Sequence, residues 1–196
     1  MLFMDLTLNW RGPIGAGNFP IKTDLIEELN ESGIYLRIKT YKNERNVVYI
    51  GQSRKLLSRF EQHIRNVLSF KQMLRDTMGH VVAQKELQHP FLFLNNLPKL
   101  APFALAEAKR VKFYFALSRD GFDEEYLFLI ESVLKSRAEE IRQEDVENIQ
   151  NITSGEFDHD IQIFNDYSRV NKEGQKLIIN TIGNKQIVIT AQQDYE

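Results

Sequence analysis

Two short segments constrain this chain more than anything else in it. Residues 33–39 (Gly-Ile-Tyr-Leu-Arg-Ile-Lys) and 47–51 (Val-Val-Tyr-Ile-Gly) are rich in β-branched and aromatic residues, the composition of strands. The stretch between them, 40–46, is polar and suits a hairpin loop. Successive side chains of a strand point to opposite faces. Ile34, Leu36 and Ile38 therefore share one face, and Tyr35, Arg37 and Lys39 share the other. In the second strand Val48 and Ile50 oppose Val47 and Tyr49. A hairpin aligns the aliphatic faces and puts both tyrosines on the opposite face, beside two basic side chains. Gly51 then permits close approach of the backbone to another group. Tyr35 and Tyr49 are open to two readings at this point, as half-buried sheet aromatics or as hydroxyls lining a site.

The rest of the chain supplies helices to cover such a sheet. Residues 3–8 alternate as a strand does, and the Gly- and Pro-containing stretch 11–20 reads as a loop. Thr23 is a plausible N-cap for a short helix. Ser53 is expected to cap a helix running to Leu68, with an apolar stripe of Leu56, Leu57, Phe60, Ile64, Val67 and Leu68. Arg59 and His63, four residues apart, sit together on the flank of that stripe. There they are either a surface pair or a phosphate-binding guanidinium with a proton-handling imidazole. A second helical stretch is expected over 70–77. Residues 79–109, broken by Gly79, Pro90, Pro98 and Pro102, read as an insertion with one or two short helices. Residues 111–117 form a third strand, and Asp123 starts a long helix to about Arg142. Its core seam is Leu127, Ile130, Leu134, Ala138 and Ile141. Glu131 lies in that row, where a carboxylate is partly desolvated and needs a partner. A divalent cation or a basic side chain would serve. The C-terminal part is expected to end in a hairpin of 177–180 and 186–190 around Gly183-Asn184.

These elements predict an α+β fold with a small, mainly antiparallel three-stranded central sheet flanked by helices. The expected organisation is an N-terminal extension over 1–30, a domain over 31–152 with the insertion at about 79–109, and a C-terminal extension over 153–196. The chain has 196 residues and no cysteine, which excludes disulfides, thiolate metal sites and a cysteine nucleophile. No apolar run is long enough to span a membrane, and the first residues do not read as a signal peptide. A cytoplasmic protein is the expectation. Net charge is -2 and the isoelectric point about 6.1, so any electropositive surface must be a local patch.

Gly33-Ile34-Tyr35 followed by Tyr49-Ile50-Gly51-Gln52-Ser53 resembles the signature of the GIY-YIG nuclease superfamily. Arg59, ten residues after Tyr49, and His63 one turn later stand where the family carries an Arg and often a His. Glu131, on the helix after the third strand, matches the family's Glu by position. The resemblance spans about residues 31–152. The hairpin loop is longer than usual in the family, and the Asn that commonly follows the Glu helix could be Asn148 or Asn151.

The resemblance implies a metal-dependent endonuclease acting on DNA, with RNA also open. Glu131 would hold one Mg²⁺ (or Mn²⁺). Tyr35 would take a proton from the attacking water with help from His63, Tyr49 would position that water, and Arg59 would clamp the phosphate. Arg37, Lys39, Gly51, Gln52, Ser53 and Arg54 are the expected nucleic-acid contacts. Two alternatives stand beside this one: a catalytically inactive nucleic-acid-binding module on the same fold, and a protein-interaction domain whose polar residues form a closed structural cluster.

Overall fold

The computed structural model describes residues 3–16, 23–83, 90–141, 145–148, 160–183 and 186–189. The strands are β1 (Phe3–Gly15), β2 (Gly33–Thr40), β3 (Asn46–Ser53), β4 (Leu74–Arg75), β5 (Val81–Ala83), β6 (Val111–Leu117), β7 (Asp145–Val146), β8 (Asp160–Arg169) and β9 (Gln186–Ile189). The helices are α1 (Thr23–Leu29), α2 (Leu56–Leu68), α3 (Pro90–Arg110), α4 (Leu127–Ile141) and α5 (Lys172–Ile182), with single 3₁₀ turns at Ser118–Asp120 and Glu124–Tyr126. No helix among the described residues is long and apolar enough to cross a membrane.

The expected three-stranded sheet is only the middle of what forms. Seven strands make one mixed sheet in the order β7-β3-β2-β6-β1-β8-β9, and β4 and β5 form a separate pair. The centre is as expected: β2 pairs antiparallel with both β3 and β6. The correction comes from β1, which pairs antiparallel with β6 and parallel with β8. Its alternation buries Leu6, Leu8 and Trp10 in the same core as Ile34 and Leu36. The Trp10 indole N–H donates to the Asn165 side-chain oxygen at 2.8 Å, tying β1 to β8 inside that core. Alternation in a sequence reveals a strand but not its neighbour, which is why β1 and β8 read as extensions.

Each face of the sheet is covered by its own helices. Ile34, Leu36, Ile38, Val48 and Ile50 pack with Leu127, Ile130, Leu134 and Ala138 of α4 and Ile178 and Ile182 of α5. Tyr35, Phe113 and Phe115 point the other way and pack with Leu29 of α1 and Leu56 and Phe60 of α2. Full burial of each such apolar side chain contributes roughly 1.5–3 kcal/mol. A third cluster joins Val67 of α2 to Leu100, Ala104 and Ala108 of α3.

Four local expectations are corrected. Residues 70–77 are not helical: Phe70 adopts a positive φ just past α2, and β4 follows. The insertion carries one long helix, α3, which holds Pro98 and Pro102 in its interior. Residues 177–180 lie in α5, capped by Asn171, so the expected first strand of a hairpin is a helix, and β9 pairs with β8. Lys55, not Ser53, is the N-cap of α2.

Candidate active site

The hairpin register explains both tripeptides. Tyr35 lies opposite Gly51 and Arg37 opposite Tyr49. A Cβ at position 51 would overlap the Tyr35 ring, so the glycine is what lets that ring lie flat over β3. A Cβ at position 33 would overlap the Ala116 carbonyl oxygen of β6. The two tyrosine rings stack nearly parallel with centroids 6.1 Å apart. Phe113 stacks on the far side of Tyr35 at 4.7 Å. His63 meets both tyrosines edge-on, at 5.5 and 5.0 Å.

Helix α2 brings the polar groups to this stack. Its buried positions are Leu56, Phe60, His63 and Val67, so the inward face is rotated towards His63 and away from Leu68, which is exposed. Arg59 rides the rim of that face. Its Nε donates to the Tyr35 hydroxyl at 2.8 Å and its Nη2 to the Tyr49 hydroxyl at 3.1 Å. His63 Nε2 lies 3.0 Å from the same Tyr35 hydroxyl, and His63 Nδ1 lies 3.2 Å from Arg37 Nη1. Tyr35, Tyr49, Arg59 and His63 thus converge on one point.

Burial and charge set the protonation of this group. Burial first, then the positive charges of Arg37, Arg59 and Lys39, push the His63 imidazole down to about 2. It is neutral at physiological pH. Burial raises the Tyr35 hydroxyl well above the ordinary phenol value, and the opposing influence of Arg59 does not offset it. A neutral buried His63 makes stability pH-dependent. Unfolded, it takes a proton below its ordinary value of 6.5; folded, only near 2. Between those values the unfolded state binds the extra proton, so stability is lost as pH falls, by roughly 1.4 kcal/mol per pH unit. Urea titrations from pH 6.5 to 4.5 are expected to show a loss of about 2–3 kcal/mol that is largely absent in His63→Gln. An equally steep loss in that variant would remove His63 as the cause.

Beneath the tyrosines lies a buried layer of paired charges. Arg37 and Lys39 are fully buried. Arg37 pairs with Glu147 and donates to Gln72 at 2.9 Å. Lys39 pairs at 2.9 Å with Glu107, which also accepts from the Tyr41 hydroxyl at 3.0 Å and from Arg110. Burial works to raise the Glu147 carboxyl, but Arg37 and Lys39 outweigh it and hold it below the usual range. Arg37 and Lys39 are therefore committed internally, where they do not reach a phosphate in solution. Of the other expected nucleic-acid contacts, Gly51 is buried, Gln52 and Ser53 are half-buried and Arg54 is exposed. Ser53 Oγ donates to the Lys55 carbonyl and accepts from its N–H, turning the chain into α2.

Glu131 is not brought to this point. Helix α4 packs on the aliphatic face of the sheet, in a different core from Tyr35. Its carboxylate lies 2.7 Å from Lys135 Nζ, with 15% of the Glu131 side chain exposed. Asn148 holds β3: its side-chain oxygen accepts from the Ile50 N–H at 3.1 Å and its side-chain nitrogen donates to the Ile50 carbonyl. Asn151 lies outside the described residues. Glu107 and Glu147 escaped sequence reasoning because their partners are far away in the chain, and no local pattern marks such pairs.

As a donor set, the tyrosine cluster offers phenols, a neutral imidazole and a guanidinium, with both nearby carboxylates already held by cations. That set suits a phosphate and not a hard metal ion. No group of three or more His, Cys, Asp or Glu able to hold a metal occurs among the described residues. Glu131 fits a metal only in its donor type: a single carboxylate can anchor a largely hydrated Mg²⁺, in competition with Lys135.

No curated protein and no solved structure matches the chain significantly. Residues 17–100 match the family model of the GIY-YIG catalytic domain. That match takes in β2, β3 and α2, and so Tyr35, Tyr49, Arg59 and His63; Glu107, Glu131 and Glu147 lie beyond it. Both tripeptides, the arginine and the histidine lie inside the matched span, so residues 17–100 are similar to the catalytic domain of the GIY-YIG nuclease superfamily.

Proposed function

We propose that this protein is a divalent-metal-dependent endonuclease that hydrolyses phosphodiester bonds in DNA. The observation that carries the reading is the Arg59 guanidinium, half-buried at the rim of α2 and hydrogen-bonded to both tyrosine hydroxyls. A planar guanidinium fixed at its inner edge is oriented to receive a phosphate at its outer edge, in exchange for the Gln62 side-chain oxygen to which Nη1 donates. Developing charge on a phosphoryl oxygen is best stabilised by donors already held in place. Tyr49, the less buried of the two tyrosines, is the better placed to orient an attacking water. Tyr35, raised by burial, is a poor base at neutral pH and serves better as the anchor of Arg59. The exposed Arg54 adds a positive charge just past the end of β3. A divalent ion would polarise the scissile phosphate and stabilise the departing oxygen. Glu131 is the candidate ligand on the chemistry of its carboxylate alone, since α4 packs on the other face of the sheet from Tyr35 and would hold the ion away from Arg59.

Cleavage of supercoiled DNA with and without Mg²⁺ tests the activity. Glu131→Ala is expected to raise the Mg²⁺ concentration for half-maximal cleavage about tenfold or more. Undiminished cleavage at unchanged Mg²⁺ dependence removes Glu131 as ligand. A second reading, an inactive binding module, is favoured by the Glu131–Lys135 ion pair and the acidic balance of the chain. It requires DNA binding that weakens steeply with salt and no cleavage under any metal.

A further inference from the structure

The layer under the tyrosines does something that the match to residues 17–100 does not explain. A guanidinium only donates hydrogen bonds. Arg37 Nη1, 3.2 Å from His63 Nδ1, therefore needs a lone pair on that nitrogen. Neutral imidazole carries its proton on one nitrogen only, so the proton belongs on Nε2. Nε2–H then donates to the Tyr35 hydroxyl at 3.0 Å, which already accepts from Arg59 Nε at 2.8 Å. A phenol oxygen has two acceptor positions, and both are filled.

Arg37 is itself held from a distance. Glu147, 110 residues away, takes its Nη2. The segment bearing Glu147 is fastened to β3 on both sides: the Glu147 N–H donates to the Val48 carbonyl at 2.8 Å, and Asn148 brackets Ile50. Asp145 pairs with Arg45 at the same edge. Arg37 Nε has no hydrogen-bond partner among the described residues. A buried polar atom left unpaired costs stability, which argues that this arginine is kept for orientation more than for stability.

We infer that Arg37, clamped by Glu147, is a positioning residue that fixes His63 as its Nε2–H tautomer and so locks the Tyr35 hydroxyl as the acceptor anchoring Arg59. The inference deepens the proposed nuclease reading and rests on it for its catalytic meaning. It assigns part of the site's construction to residues beyond 100. It also separates two tyrosines that look equivalent in sequence: Tyr35 is saturated as an acceptor, whereas Tyr49 receives Arg59 Nη2 and stands nearer solvent. The charged and titratable groups facing His63 are Arg37 and Lys39 from β2, Arg59 from its own helix, and the two tyrosines.

Imidazole ¹⁵N spectra of the full chain test this directly, with His63 assigned by its loss in His63→Gln. The wild type is expected to show a protonated Nε2 and an unprotonated Nδ1 at pH 7, unchanged at pH 5. Arg37→Met is expected to give mixed tautomers at pH 7. Glu147→Gln, the milder change, is expected to shift the tautomer ratio partway and to lower kcat about tenfold with KM unchanged. A protonated Nδ1 or an imidazolium in the wild type overturns the inference without any variant. So does a wild-type spectrum in a folded Arg37→Met or, should that variant fail to fold, in Glu147→Gln. If the spectra behave as expected but no form of the protein cleaves DNA, the positioning role stands and the nuclease reading falls.

Discussion

Arg59→Ala is expected to lower DNA cleavage by about 10²–10³-fold, the usual cost of losing one preorganised donor to a charged transition state. Circular dichroism and the urea midpoint should change little, because the arginine sits at the rim of α2 and not in its buried stripe. The loss has two parts. The outer edge of the guanidinium no longer meets the phosphate, and the two hydroxyls it joins, Tyr35 and Tyr49, lose their common donor. Arg59→Lys separates charge from geometry. A lysine keeps the positive charge but has one donating centre, which cannot span both hydroxyls and a phosphate. It is therefore expected to recover only a small part of the activity. Full activity in Arg59→Lys would mean that charge alone matters. Cleavage by Arg59→Ala within a few-fold of wild type would remove Arg59 from the mechanism.

Breaking the buried Lys39–Glu107 pair should have the largest effect on stability. Both side chains are shielded from water, at 1% and 0% exposure. Burial, reinforced by Arg37, pushes the Lys39 ammonium down, and Glu107 opposes this. Removing the carboxylate alone leaves a buried cation without its closest counter-charge, a change that typically costs about 3–5 kcal/mol. Glu107→Ala should cost that much in urea unfolding, and it also strands the Tyr41 hydroxyl. The double variant Lys39→Met/Glu107→Leu replaces the pair with apolar volume. Such replacements are often neutral, so it should recover most of the loss. A double variant no more stable than Glu107→Ala would show that the network as a whole, including Tyr41 and Arg110, is what matters.

The second experiment concerns a side chain, Lys39, that sequence placed on the correct face and then misjudged in depth. Alternation puts Tyr35, Arg37 and Lys39 together, and they are together. It cannot say that α2 and α3 close over that face, leaving Arg37 and Lys39 fully buried. The helical spacing of Arg59 and His63 was equally legible, since residues four apart on a helix must be neighbours. Their opposite fates, one at the rim and one buried, depend on a rotation of α2 set by where Leu56 and Phe60 dock. Glu131 shows the limit most clearly. Its position in the core seam of α4 was read from periodicity, and its need for a partner followed from desolvation. The partner, Lys135, is four residues on in the same helix and within reach of that spacing; that α4 packs against the other face of the sheet depends on how it is routed after β6.

By itself the sequence determined the local elements of the centre: the hairpin of β2 and β3, the arginine one turn before the histidine on α2, and β6 followed by a long helix. Short-range sterics and periodicity decide these, and both are written in neighbouring residues. Only the tertiary structure decided that β1 and β8 join the central strands in one seven-stranded sheet, that 177–180 is helical, and that Glu107 and Glu147 neutralise the base of the site. Those outcomes depend on contacts between residues far apart in the chain, and no local pattern records which distant partner a buried charge or a free strand edge will find.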